Sequence, residues 1–524
     1  MRSWMKMIKE LTIRPTGERK IRKAPSYSFD EEMEEPLSGT KVKEILSTSS
    51  DVVFREFSLQ GKERIPCMVA AVDGMVNKNL LDQFILKPLM VDLAGHQEFA
   101  QATLSNVVEK LQSLLPGLEL KKISKMGEAI DAVLSGDAVI FFGDIKEGIV
   151  LGAKGWDNRG VTEPITESIV KGPREGFTET LRTNTSLVRR KIKHPSLRMI
   201  SLKLGDMTNT DVVVTYIEKL ASPDIVSEVL RRIATIKIDS MLGSGYIEEM
   251  IEDNPYSPFP QLAFTERPDV LAGKLMEGKV GIIVDGTPVV LVVPATLWQF
   301  LNINEDYYQR AVVAILSRFI RYVGAFVAIV APSVYIAVTT FHQEIIPTDL
   351  LMSISASRQG VPFPALLEAI TMTIALEILQ EAGLRLPKPI GSTIGIVGAL
   401  VIGDAAVKAS LVSPLMVIIT GLTAIASYAI PTFDLGLVVR IIRFPFMILA
   451  GFLGFFGVSV GLYLVIVHLL SLRSFGVPYL SPVAPLRVRA LLQDTIVRAP
   501  WWALKRRPQF LDVENPQSGE KGKG

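Results

Sequence analysis

From Tyr322 to Phe341 the chain runs for twenty residues without a formal charge, with Pro332 inside the run. A bilayer core is crossed by about 20 apolar residues in a helix, and only a helix or a closed barrel satisfies the backbone there. The stretch therefore predicts a transmembrane helix. Further candidate spans are 365–382, 390–407, 409–430 and 444–471; of the five, only the first, fourth and fifth are free of charge throughout. Composition agrees, since 48% hydrophobic residues and a mean hydropathy of +0.32 are high for a purely soluble chain. Met1 to Lys23 is studded with Arg and Lys and has no apolar core, so it does not read as a secretory signal, and insertion is expected from the internal segments.

Lys and Arg flanking the spans set the orientation. Arg318 and Arg321 precede the first span, Arg385 and Lys388 follow the second, and Arg440 and Arg443 follow the fourth, whereas the 342–363 loop carries only Arg358. The long N-terminal part is expected in the cytoplasm. The basic C-terminal tail (Arg487, Arg489, Arg498, Lys505, Arg506, Arg507) should lie on the same side, which needs an even number of crossings. Five candidates do not supply one. Either 444–471, with Gly451, Gly454 and Gly457, forms a re-entrant hairpin or one candidate does not cross.

The fold class expected is an α/β soluble domain of two related subdomains followed by an α-helical polytopic membrane domain. The self-similarity is specific. AIDAVLSGDAVIFFGDIKEGIV in one half parallels DVLAGKLMEGKVGIIVDGTPVVLVV in the other, aligning Gly136 with Gly278 and Ile140 with Ile282. The expected organisation is a charged tail at 1–45, subdomains at 46–155 and 196–300 around a basic connector at 156–195, a membrane domain of four to six helices at 301–475, and a basic tail at 476–524.

Several function classes fall away. A net charge of +2 gives no footprint for nucleic acid. One cysteine, Cys67, excludes an intrachain disulfide and a thiolate metal cluster, and four scattered histidines disfavour a zinc enzyme. Gly243-Ser-Gly245 lacks the third glycine of a dinucleotide fingerprint, no Gly-Lys is followed by Ser or Thr, and His342-Gln-Glu344 is not a zincin motif. No enzymatic activity, cofactor or metal is expected.

Charge inside the apolar runs is more informative. At about 100° per residue, Thr373, Glu377, Gln380 and Glu381 share one helix face. Ionisable groups in membrane helices normally face protein or water, so these residues are candidates for lining or gating an ion path; the alternative is a helix lying at the interface with its polar face wet. Glu368 sits in the first turns after Pro362 and Pro364, where the helix dipole favours a carboxylate. Gly391, Gly395, Gly398, Gly403 and Ala406 form a small-residue run suited to close helix packing. Asp404 and Lys408, four apart, either neutralise each other or line the path. Arg174, Arg182, Arg189 and Arg190, with Lys191, Lys193 and His194, read as a solvated connector or as a surface for an acidic partner subunit.

EPITESIVKGPREGFTETLRTNTSLVRRKI (163–192), TTFHQEIIPTDLL (339–351), SRQGVPFPALLEA (357–369), GDAAVKASLVSPLMVIITGLTAIASY (403–428) and SLRSFGVPYLSPVAP (471–485) together resemble the A subunit of the GerA-type nutrient germinant receptors of endospore-forming bacteria. The resemblance covers about 45–490. It implies an inner-spore-membrane protein that works beside a transporter-like B subunit and a lipoprotein C subunit, and that oligomerises into a channel releasing ions. It would make Pro362 and Pro364 the entry of a channel-associated helix, and Glu377 and Glu381 its polar face. The alternatives are a non-conducting structural or relay subunit, or the paralogous channel that amplifies ion release during germination.

Overall fold

The computed structural model describes residues 33–60, 64–82, 120–155, 169–385 and 403–504, with isolated positions at 87, 108, 164, 167 and 507. Two five-stranded antiparallel sheets come first, then a helical half.

In the first sheet the strands β1 (Val52–Gln60), β2 (Arg64–Val72), β3 (Leu120–Ile123), β4 (Ala138–Phe142) and β5 (Gly148–Leu151) stand in the order β1-β2-β4-β5-β3. In the second, β6 (Leu197–Leu204), β7 (Thr210–Ile217), β8 (Ala263–Thr265), β9 (Val280–Val284) and β10 (Val290–Val293) stand in the order β6-β7-β9-β10-β8. The two orders are the same pattern. Ile140 pairs with Val69 and Ile149, while Ile282 pairs with Val214 and Leu291, so the aligned isoleucines hold equivalent register positions. Gly136 and Gly278 end the helix before each central strand at φ of +92° and +96°, a backbone state that glycine adopts without a Cβ clash.

The central strands are buried on both faces, because side chains alternate across a sheet and both sides are covered. Along β4, Ala138, Ile140 and Phe142 enter one core and Val139 and Phe141 the other. Helices α1 (Gly39–Leu46) and α2 (Met126–Leu134) cover the second of these faces. On the second sheet, α3 (Leu181–Lys191) and α6 (Pro268–Met276) cover one face, and α4 (Pro223–Thr235) and α5 (Ser244–Ile251) the other.

Among the described residues the helical half includes α7 (Ala311–Thr340), α8 (Thr348–Arg358), α9 (Ala365–Arg385), α10 (Pro414–Tyr428) and α11 (Phe433–Ser471). Among the described residues, α7 and α11 are long and apolar enough to cross a membrane. The first candidate span therefore begins earlier than the charge-free run, with Arg318 and Arg321 inside the helix. The 409–430 candidate is helical only from Pro414, where Ser413 accepts from the Met416 N–H as N-cap. Positions 386–402, with Gly391, Gly395, Gly398 and most of the 390–407 candidate, lie outside the described residues.

A straight helix of 39 residues would run about 58 Å, nearly twice a bilayer core. α11 is not straight. Gly454 is non-helical at φ +61°, ψ −140°. A Cβ on Gly457 would overlap the Leu449 carbonyl, and one on Gly461 would lie 3.3 Å from the Phe446 ring. The chain therefore doubles back, with arms at 433–453 and 455–471. Both ends return to segments flanking the second sheet: Thr432 donates to the Phe300 carbonyl (2.8 Å) and His468 bonds Ser257 (2.9 Å). The tip meets the far end of α7, where the rings of His342 and Phe455 lie 5.0 Å apart.

Candidate functional site

α9 turns its polar side into the bundle. Thr373 is buried and donates to Met447 Sδ at 3.7 Å, while Ile374 and Ile378 on the other side are exposed. Glu377 pairs with Arg440 and lies 3.6 Å from Arg443 Nη1, both arginines coming from the first arm of α11. Arg443 is 1% exposed; its Nε donates to the Ala328 carbonyl of α7 (2.8 Å) and its Nη2 to Ser427 Oγ of α10 (2.7 Å). One guanidinium on α11 thus touches three other helices. Gln380 is half-buried and Glu381 exposed, so only part of the stripe faces protein.

Nearer the far end, Glu368 is buried and does more than sit in its own first turn. Its Oε2 accepts from Ser413 N (3.1 Å) and Oγ (2.9 Å), orienting the N-cap of α10, and Arg358 lies 3.4 Å from Oε1. Pro364 opens α9 by accepting from the Glu368 N–H (3.1 Å), and Pro362 and Pro364 are both exposed. Asp404 and Lys408 form an exposed i,i+4 pair at 2.6 Å.

The four connector arginines separate. Arg189, buried, grips Asp51 through two bonds (2.8 and 2.9 Å) and also donates to Ser49 Oγ and the Leu197 carbonyl. Arg182 pairs with Asp73 at 3.0 Å. These two therefore fasten the connector helix to the first sheet of the same chain; Arg189 is not at the surface that an intersubunit role requires. Arg190 pairs with Glu175 (3.3 Å), and Arg174 is exposed.

A second polar cluster, unmarked in the sequence reading, lies where α7 leaves the sheets. Buried Asp306 accepts from Arg318 Nε (2.9 Å) and from Arg321 Nη2 (2.6 Å). Arg318 also donates to the Asp494 side chain (3.2 Å) and to the carbonyls of Asp494 and Thr495. Tyr307 donates to Asp494 (2.6 Å) and Tyr322 to the Thr495 carbonyl (2.6 Å). Burial pulls Lys279 nearby down to about 7. The signal available in sequence was Asp306 lying 12 and 15 positions before two arginines of an apolar helix.

On the sheet side of this boundary, burial, then the charges of Asp434 and Glu252, push Glu248 up to about 7. An acid raised in the folded state holds its proton more tightly there, so stability falls as pH rises from about 4.5 to 7 and stays lower above. Glu248→Gln is expected to leave stability unchanged near pH 4 and to raise it by ~1–2 kcal/mol at pH 8, allowing for partial solvent screening. Thermal unfolding of both proteins at the two pH values measures this.

A double antiparallel sheet set on an apolar helical bundle that buries ion pairs defines a membrane-associated protein with a sheet-rich head. The chain belongs to the GerA family of spore germination proteins: the family model, described as Bacillus/Clostridium GerA spore germination protein, matches residues 40–510. It is 45% identical over 476 residues to "Uncharacterized membrane protein YfkQ" of Bacillus subtilis (strain 168), covering 90% of each chain. It is 44% identical over 475 residues to "Spore germination protein KA" of the same organism, covering 91% of this chain and 86% of that one. The crystal structure of the N-terminal domain of the A subunit of the Bacillus megaterium spore germinant receptor GerK3 matches with 32% identity and a TM-score of 0.38, covering 49% of this chain and 93% of that one.

Proposed function

We propose that this chain is the A subunit of a nutrient germinant receptor in the inner spore membrane, and that copies of it assemble around a path through which cations leave at the start of germination. The observation that carries this reading is the ionisable group Glu377–Arg440–Arg443 inside an apolar helical bundle that also buries Glu368 beside Arg358, since charge buried among membrane helices is expensive and marks function. Thr373, Glu377, Gln380 and Glu381 would line or gate the path, with Asp404 and Lys408 at its flank. Rings of acidic side chains favour cations. The sheets would lie in the cytoplasm, as subdomains 46–155 and 196–300, and the tail after 475 on the same side; the return of both α11 ends to segments flanking the second sheet supports that even count of crossings. A transporter-like B subunit and a lipoprotein C subunit would complete the receptor.

A second reading, a relay subunit that does not conduct, is favoured by one feature. Glu377 is neutralised within a single subunit. Potassium efflux from liposomes holding the purified full-length protein separates the two. Efflux above that of empty vesicles, altered by Glu377→Gln with Glu381→Gln, is the expected result; vesicles that remain sealed would favour the relay.

A further inference from the structure

In an α-helix the carbonyl of residue i accepts from the N–H of residue i+4, and proline has no N–H to give. Pro332 therefore strips the Ala328 carbonyl of its helical donor, and both residues are buried in the middle of α7. Such a group in apolar surroundings must be bonded elsewhere. Arg443 Nε supplies that bond at 2.8 Å, from a different helix. The same guanidinium holds Ser427 of α10 and faces Glu377 of α9.

We propose that Arg443 is the positioning residue of α7, standing in for the N–H that Pro332 lacks and locking a hinge at that proline. Glu377 in turn holds Arg443 in place. With Arg443 seated, the two halves of α7 are fixed against α9, α10 and α11. With Arg443 withdrawn, the Ala328 carbonyl must recruit water or α7 must bend at Pro332. A disturbance at Glu377 then reaches α7 without Glu377 contacting any ion, and this role holds whether or not the chain conducts.

The test is a double-mutant cycle on the full-length protein in detergent, read as the midpoint of thermal unfolding. Pro332→Ala returns a helical donor to Ala328. Arg443→Met is expected to lower the midpoint in the wild-type background, and to lose less than about half as much beside Pro332→Ala, because the two positions serve one acceptor. Arg440→Met, which removes the nearer partner of Glu377 while the bond to the Ala328 carbonyl comes from Arg443, should show no such rescue. Additive losses for Arg443 and Pro332, or equal rescue of Arg440→Met, overturn the proposal. If Arg443→Met does not accumulate as folded protein, Arg443→Lys replaces it in the same cycle: rescue by Pro332→Ala supports the role, and an undiminished loss overturns it. A Pro332→Ala chain that itself fails to fold also overturns it, since an ordinary helical residue is what the Ala328 carbonyl calls for.

Discussion

Asp306→Ala is expected to destabilise the protein by ~3–5 kcal/mol, the range for breaking a buried ion pair and leaving a charge without its partner. Two arginines depend on this one carboxylate. Arg318 would keep only Asp494 and the carbonyls of 494 and 495, and Arg321 would lose both of the hydrogen bonds it makes to Asp306. Since Arg318 and Arg321 stand toward the sheet end of α7, the damage falls on the attachment of the helical half to the sheets. Limited proteolysis should show it as early cleavage between the sheets and α7, and thermal unfolding as a lost or split transition. Asp306→Asn, which keeps the shape and one acceptor, should recover part of the loss. An unchanged melting profile for Asp306→Ala would mean that the cluster carries no net stability.

Arg189→Met should cost a similar ~3–5 kcal/mol, for the same reason, at the seam between the two sheets. The side chain is 1% exposed and bonds Asp51, Ser49 and the Leu197 carbonyl, so its removal leaves the Asp51 carboxylate buried and unpaired. This outcome discriminates between roles. An intersubunit arginine would alter the assembly state of the purified protein and spare the melting of each subunit. A seam arginine would lower the melting midpoint at every protein concentration. We expect the second, with Arg190→Met, whose partner Glu175 is part-exposed, changing stability by less than about 1 kcal/mol.

The duplication of the sheets was legible because it rests on local features: a helix, a glycine at positive φ, and an apolar strand repeat at matched spacing in both halves. The doubling back of α11 was half legible. Gly451, Gly454 and Gly457 signalled that 444–471 need not run straight, but the turn is set by contacts between residues such as Phe446 and Gly461 that a linear reading does not bring together. The charge nodes were legible only in part. Arg318, Arg321 and Arg443 were read as flanking charges that mark a membrane face, and each is also buried against a partner many residues away. Glu368 was placed correctly at a helix start, though it also orients the N-cap of α10 through Ser413. In each case the chemistry of the residue was readable and its distant partner was not.

The hairpin of α11 also bears on how this chain reaches its membrane. From Phe444 to Val467 it contains no ionised side chain, and both of its ends stay on the side of the sheets. Driving a polar loop through hydrocarbon is the costly step when two neighbouring helices insert one after the other. Here the connection at Gly454 is itself apolar, flanked by Leu453 and Phe455. Entry of the hairpin tip into a bilayer would therefore carry no charged loop across, and Arg440 and Arg443 at the base of the first arm would enter only in company with Glu377.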